Sequence, residues 1–193
     1  MTCDDNGCEG VENATNVAFA ASNVSVGKVD KPPIASRKDW GANEGLRKGS
    51  PDYAPKVKAA VVHHTAGSNN YSAGDVPGII RGIYTFHTKG RGWADVGYNV
   101  LVDKYGRMWQ GRAGDINRPV VGAHAQGFNS GTFGISVMGD YDKKAPSAEA
   151  LNAVEHAIAW KLNGVDANGR ANVNGRSILS LIHISEPTRL LSI

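Results

Sequence analysis

Lys58-Ala59-Ala60-Val61-Val62-His63 (KAAVVH), running on into His64-Thr65-Ala66-Gly67, is the stretch that decides how the chain reads. A short apolar run that ends at a Thr-Ala-Gly segment predicts a buried strand. Side chains alternate across a strand, so His63 and His64 face opposite ways and only one of them looks into a given site. Downstream, Val76, Ile79, Ile80, Ile83 and Tyr84 recur at helical spacing, with Asp75 in the N-cap position and Pro77 in the first turn. Residues 88–92 (TKGRG) form a basic loop with two glycines that ends this helix. Residues 98–102 and 107–110 predict two strands joined by a hairpin at Asp103-Lys104-Tyr105-Gly106. Residues 132–138 (TFGISVM) predict another strand. Ser147 caps a second helix with Leu151, Val154, Ile158 and Leu162 on one face, and Asn163-Gly164 stops it. Strands mixed with long helices predict an α/β domain, a central β-sheet flanked by helices. The hairpin makes that sheet mixed rather than all parallel.

Composition narrows the classes. The chain has 193 residues, 41% hydrophobic and 20% charged, enough for one ordinary core. No apolar run reaches the roughly 18 residues of a membrane-spanning helix. A net charge of +3 gives no footprint for nucleic acid. Two cysteines exclude a disulfide scaffold or a four-cysteine zinc module. Cys3 and Cys8 close a small loop, stand free or form half of a metal site, and nothing nearby completes such a site.

Residues 1–33 are polar and Asn/Ala/Ser-rich, and Lys31-Pro32-Pro33 reads as a boundary. They lack the basic start and the apolar stretch of about 7–15 residues of a secretory leader. The domain is expected over 34–177. Residues 178–193 (ILSLIHISEPTRLLSI) change character. They are glycine-free and apolar and resemble the translation of sequencing-adapter DNA, so the tail is expected to be non-native; the alternative is a genuine terminal strand or helix.

The candidate chemistry lies in histidines. A catalytic zinc takes three protein ligands and leaves one position for water, and a histidine at a strand end is rigidly placed for that task. The bland alternative leaves one of His63 and His64 packed and the other exposed. His87 extends the Ile83 stripe, so a core role competes with a site role. His124 sits in Val121-Gly122-Ala123-His124-Ala125, a loop where a core role is less natural. His156 is a solvated helix residue and His183 lies in the tail. No His-Glu-x-x-His helix, Gly-x-Ser-x-Gly elbow, phosphate loop or dinucleotide fingerprint is present.

Several segments, in order, resemble the peptidoglycan recognition protein family, whose catalytic members are zinc-dependent N-acetylmuramoyl-L-alanine amidases. They are Arg37-Lys38-Asp39-Trp40-Gly41-Ala42, residues 61–67, Gly92-Trp93-Ala94-Asp95-Val96-Gly97-Tyr98-Asn99, Gly111-Arg112, Gly122-Ala123-His124, and residues 127–136. The style of residues 112–141 is closer to bacterial members. The resemblance implies a single amidase-like domain that binds peptidoglycan as a monomer, secreted or cell-wall associated, with Zn²⁺ as cofactor. It implies His63 as a zinc ligand and Tyr98 as the catalytic tyrosine beside the metal. It places His64, His87, Trp93, His124 and Asn129 at positions that contact muropeptide, with packing an equal reading for Trp93. The implied reaction is hydrolysis of the amide between N-acetylmuramic acid and L-alanine; the alternative is muropeptide binding without cleavage. The family's second histidine ligand and its Cys or Asp ligand belong to a Gly-His-Arg-Asp-like strand end and a Cys-Pro-Gly-like turn, and this sequence departs from the family at about Ser177, before both.

Overall fold

The KAAVVH run folds as a strand over Ala59–His64, but as an edge strand instead of the expected buried one: Ala59 is exposed and residues 60–63 are half-buried, because a neighbouring strand covers it on one side alone. The computed structural model describes residues 28–162 and 171–172. The elements are β1 (Lys28–Val29), β2 (Ile34–Ala35), a 3₁₀ turn at Glu44–Leu46, β3 (Ala59–His64), α1 (Val76–Thr85), a π-helical turn at Phe86–Gly90, β4 (Val100–Val102), β5 (Met108–Gln110), β6 (Thr132–Val137), α2 (Ala148–Leu162) and β7 (Ala171–Asn172). The readings made at Cys3, Cys8, Asn163-Gly164, His183 and the 178–193 tail lie outside the described residues.

Five strands form one mixed sheet in the order β2-β5-β4-β6-β3, and β1 pairs separately with β7. β3 and β4 both run parallel to β6, while β5 returns antiparallel to β4. The turn is the expected hairpin: Gly106 takes φ +79° and donates to Asp103 O, and the Asp103 carboxylate collects Tyr105 N, Arg107 and Trp109 Nε1. A left-handed φ is where glycine avoids the Cβ clash.

Each face of the sheet carries its own core. Phe133, Ile135 and Val137 alternate toward α2 with Val100 and Val102. Leu101, Trp109 and Met138 face the other way and pack with Trp40, Val76, Ile80 and Tyr84 beneath α1. Ala150, Ala153 and Ala157 let α2 lie close to its face, and Trp160 meets Phe133 edge-on at 6.4 Å. This buried stripe differs from the expected one, because Leu151 and Leu162 are only half-buried. Ser147 caps α2 as expected, with Ala150 N donating to its Oγ at 3.2 Å.

Two local expectations are corrected. The Asp75 carboxylate does not cap α1; it turns back to accept from Ser72 N and Oγ, both at 2.7 Å. The segment after Thr85 continues the helix as a π turn instead of leaving it as a loop. Arg91 N donates to Phe86 O at 2.9 Å and Thr88 Oγ1 to Tyr84 O at 2.8 Å, which holds the wider turn until Gly92 leaves it at φ +72°. Single π turns of this kind often sit at functional sites.

A buried ion pair ties the motif segments together. Arg37 donates to Asp95 at 3.1 Å, to Glu44 at 2.7 Å and to Gly111 O. Asp95 also accepts from Val96 N and Ala113 N. Removing one partner of such a pair leaves a buried charge uncompensated. Asp95→Ala is therefore expected to lower unfolding stability by about 3–5 kcal/mol in a urea titration. A loss below about 1 kcal/mol would mean that Glu44 alone satisfies Arg37.

Candidate active site

Four ring side chains from four segments meet on the α1 side of the sheet. β3 presents His63 there, paired in register with Ser136 of β6. Tyr98 stands two residues before β4 and its ring centroid lies 5.4 Å from that of His63. The π turn brings His87 to 5.6 Å from Tyr98. The 120–129 loop swings His124 over β6, with its Nδ1 3.2 Å from His63 Nε2. Trp93 extends the wall, 4.7 Å from His87. Sequence reasoning placed His63, Tyr98, His87, His124 and Trp93 at the site, and the fold brings these five side chains together.

Glycines make the assembly possible. A Cβ on Gly134 would fall 2.5 Å from His124 Cγ and 2.6 Å from its Nε2, so the imidazole lies directly on the backbone of β6. A Cβ on Gly97 would fall 2.7 Å from both Trp93 Cζ3 and Ala123 O. Asn99, 1% exposed, knits the same floor: its Oδ1 accepts from Gly134 N at 2.8 Å and its Nδ2 donates to Val120 O at 2.9 Å. Sequence reasoning missed these supports. The one signal was their presence inside the matching motifs.

Burial governs the electrostatics. Loss of water lowers the pKa of His63 to about 4, with the neighbouring His64 adding to it. His87 falls to about 4 through burial and then Arg91 and Arg112, and His124 to about 3 through burial, His63 and Arg112. All three rings are neutral at pH 7, the state in which imidazole ligates a metal. Gly97 N donates to His87 Nδ1 at 3.2 Å, which puts the His87 proton on Nε2. Burial raises the Tyr98 phenol above its usual range, against a smaller opposing effect from Ser136, so it remains a protonated donor.

Two candidates sit elsewhere. His64 is 1% exposed and lies on the opposite side of β3, as strand alternation requires, so it does not reach the cluster. Its Nδ1 accepts from Tyr141 N at 3.0 Å and its Nε2 lies 3.4 Å from Asp142. With Asp140 it forms a His-Asp-Asp group whose ligand atoms lie within 4.8 Å of one another and could hold a metal ion, but while Nδ1 accepts from Tyr141 N the ring proton is on Nε2, facing Asp142, and a metal there would have to displace it. Asn129 spends its Oδ1 on the His124 loop, accepting from His124 N at 2.7 Å and Ala125 N at 2.9 Å. It shapes the site by holding that loop. Among the described residues, the His63 cluster contains no carboxylate or thiol to complete the three protein ligands of a catalytic zinc. His63, neutral and framed by Tyr98, fits one ligand position.

Comparison with known proteins places this geometry. A family model described as N-acetylmuramoyl-L-alanine amidase (Amidase_2) matches residues 53–184. Peptidoglycan-recognition protein SC2 of Drosophila simulans is 35% identical over 128 residues, covering 65% of this chain and 65% of that protein. The chain thus spans about two-thirds of the length of such curated relatives. Among solved structures, peptidoglycan recognition protein-LE in complex with tracheal cytotoxin superposes with a TM-score of 0.58 at 35% identity, covering 65% of this chain and 71% of that one. Human PGRP-IBETAC in complex with glycosamyl muramyl pentapeptide gives 0.59 at 28% identity, covering 66% and 74%. The fold and site define an α/β domain of the peptidoglycan recognition and amidase class. The chain belongs to the Amidase_2 family of N-acetylmuramoyl-L-alanine amidases.

Proposed function

We propose that the chain is the amidase domain of a secreted or cell-wall-associated, monomeric enzyme that hydrolyses the amide between N-acetylmuramic acid and L-alanine in peptidoglycan, with Zn²⁺ as cofactor. The observation that carries the reading is the pairing of a neutral strand-end histidine, His63, with a protonated tyrosine, Tyr98, at 5.4 Å. Bound zinc supplies hydroxide near neutral pH by lowering the pKa of its water from about 15.7 to about 7. His63 would be one of its ligands. Tyr98 then donates a hydrogen bond to the amide carbonyl oxygen as negative charge gathers on it, from a position already shielded from water. His87, Trp93 and His124 stand around this pair and would orient the muropeptide. The complexes of the two solved relatives with tracheal cytotoxin and a muramyl pentapeptide support this class of ligand.

A binding module that holds muropeptide without cutting it is the second reading, favoured by the absence of a carboxylate or thiol ligand from the His63 cluster among the described residues. Chelation separates the two. Hydrolysis of muropeptide is expected to vanish after treatment with chelator and to return with added Zn²⁺. Hydrolysis insensitive to chelator would sink the zinc mechanism. Retention on insoluble peptidoglycan with no hydrolysis at any zinc concentration would establish the binding module.

A further inference from the structure

Thr132 begins β6 beneath the His124 ring, and its hydroxyl makes contacts that leave little freedom. Its Oγ1 lies 2.6 Å from Phe128 O. A carbonyl has no proton to give, and the other carbonyl in reach, Asn129 O at 3.4 Å, has none either, so the single hydroxyl proton is committed to these oxygens, Phe128 O being the nearer. The same Oγ1 lies 3.4 Å from His124 Nε2. With its proton committed, Oγ1 meets the ring as an acceptor. A bare Nε2 would set two lone pairs against each other, so Nε2 carries the His124 proton and Nδ1 is left with its lone pair. That Nδ1 faces His63 Nε2 at 3.2 Å, a separation at which two bare nitrogens repel, so a proton sits there too. It can come only from His63. The chain of donors is therefore His63 Nε2–H to His124 Nδ1, His124 Nε2–H to Thr132 Oγ1, and Thr132 Oγ1–H to Phe128 O.

We propose that Thr132 is a positioning residue that, through His124, fixes His63 in the Nε2–H tautomer and leaves Nδ1 as its lone-pair nitrogen. Metal-binding histidines generally donate their other N–H to a nearby acceptor, which sets ring orientation and raises ligand basicity. Here that acceptor is a second imidazole whose own tautomer is set by a hydroxyl. Gly134 below and Asn129 behind the loop keep the His124 ring in reach. The consequence for a metal rests on the reading of His63 as a ligand, but the tautomers themselves do not.

The test is ¹⁵N NMR of the histidine rings in the 193-residue protein, freed of metal, at pH 7, with ring signals assigned by single His→Gln variants. His63 and His124 are each expected to show a protonated Nε2 and an unprotonated Nδ1. Thr132→Val keeps the β-branched shape and removes the acceptor. His124 is expected to lose its single-tautomer pattern, both ring nitrogens shifting toward averaged values, and Thr132→Ser to restore it. An unprotonated Nε2 on His124 in the wild-type protein overturns the proposal, as does a Thr132→Val spectrum with unchanged ring shifts. Should Thr132→Val fail to fold, the wild-type tautomers decide by themselves. Because no metal and no substrate are present, failure here is distinct from failure of the amidase reading.

Discussion

Tyr98→Phe is expected to lower turnover on muropeptide by about 10²–10³-fold, in the range found for losing one oxyanion-stabilising donor. Binding should fall far less. The ring stays in place, since its packing against His63 and His87 is made by carbon atoms that phenylalanine keeps. Only the hydroxyl is lost, and its hydrogen bond strengthens as the carbonyl oxygen acquires charge, so the loss appears in kcat. The Tyr98 hydroxyl is suited to this task because burial raises its pKa and keeps the proton on oxygen. Parallel measurement of kcat and of Kd for an uncleaved muropeptide analogue checks the claim. Equal losses in both would reduce Tyr98 to a packing residue of the site.

Gly134→Ala is expected to be the most damaging single-methyl change in the site. The added Cβ would stand 2.5 Å from His124 Cγ, well inside contact distance, and the strand beneath it is held by β3 on one side and β4 on the other. The imidazole must therefore swing away, breaking its contacts with His63 and Thr132 together. A displacement of about 1 Å in catalytic machinery costs about 10²-fold in rate, and hydrolysis should fall by at least that much. Overpacking adds a destabilisation of about 1–3 kcal/mol. Gly82→Ala is the control: it lies in α1 with nothing within 4 Å of a new Cβ, and it should leave hydrolysis unchanged while stabilising the helix by up to about 1 kcal/mol. Unchanged hydrolysis in Gly134→Ala would remove His124 from the machinery.

Much of this was legible in the residues because the signals are local. β3 appears as a short apolar run, the hairpin as a turn with glycine at the left-handed position, and α2 as a periodic stripe behind Ser147. The limits of that reading are local too. The π turn after Thr85 could not be read from residues 88–92, because two glycines and two basic residues fit a loop equally well. What selects the wider turn is the Thr88 hydroxyl returning to Tyr84 O and the packing of His87 against Trp93. The Asp75 carboxylate had the right position for a cap, but Ser72 offered it two donors in a tighter turn. Asn129 stood at a position expected to meet substrate, yet two backbone amides of its own loop take its oxygen.

By itself the sequence determined the α/β class, the mixed sheet and the opposite facing of His63 and His64, since each follows from periodicity, while the candidate site residues came from its resemblance to a family. Only the tertiary structure decided which of those residues meet. His63, His87, Tyr98 and His124 are dispersed over 62 positions of the chain, and it is parallel pairing of β3 and β4 with β6 that draws their segments to one face. The same folding removes water from the rings and so leaves the histidines neutral and the tyrosine protonated, a property of the assembled site that no residue has alone.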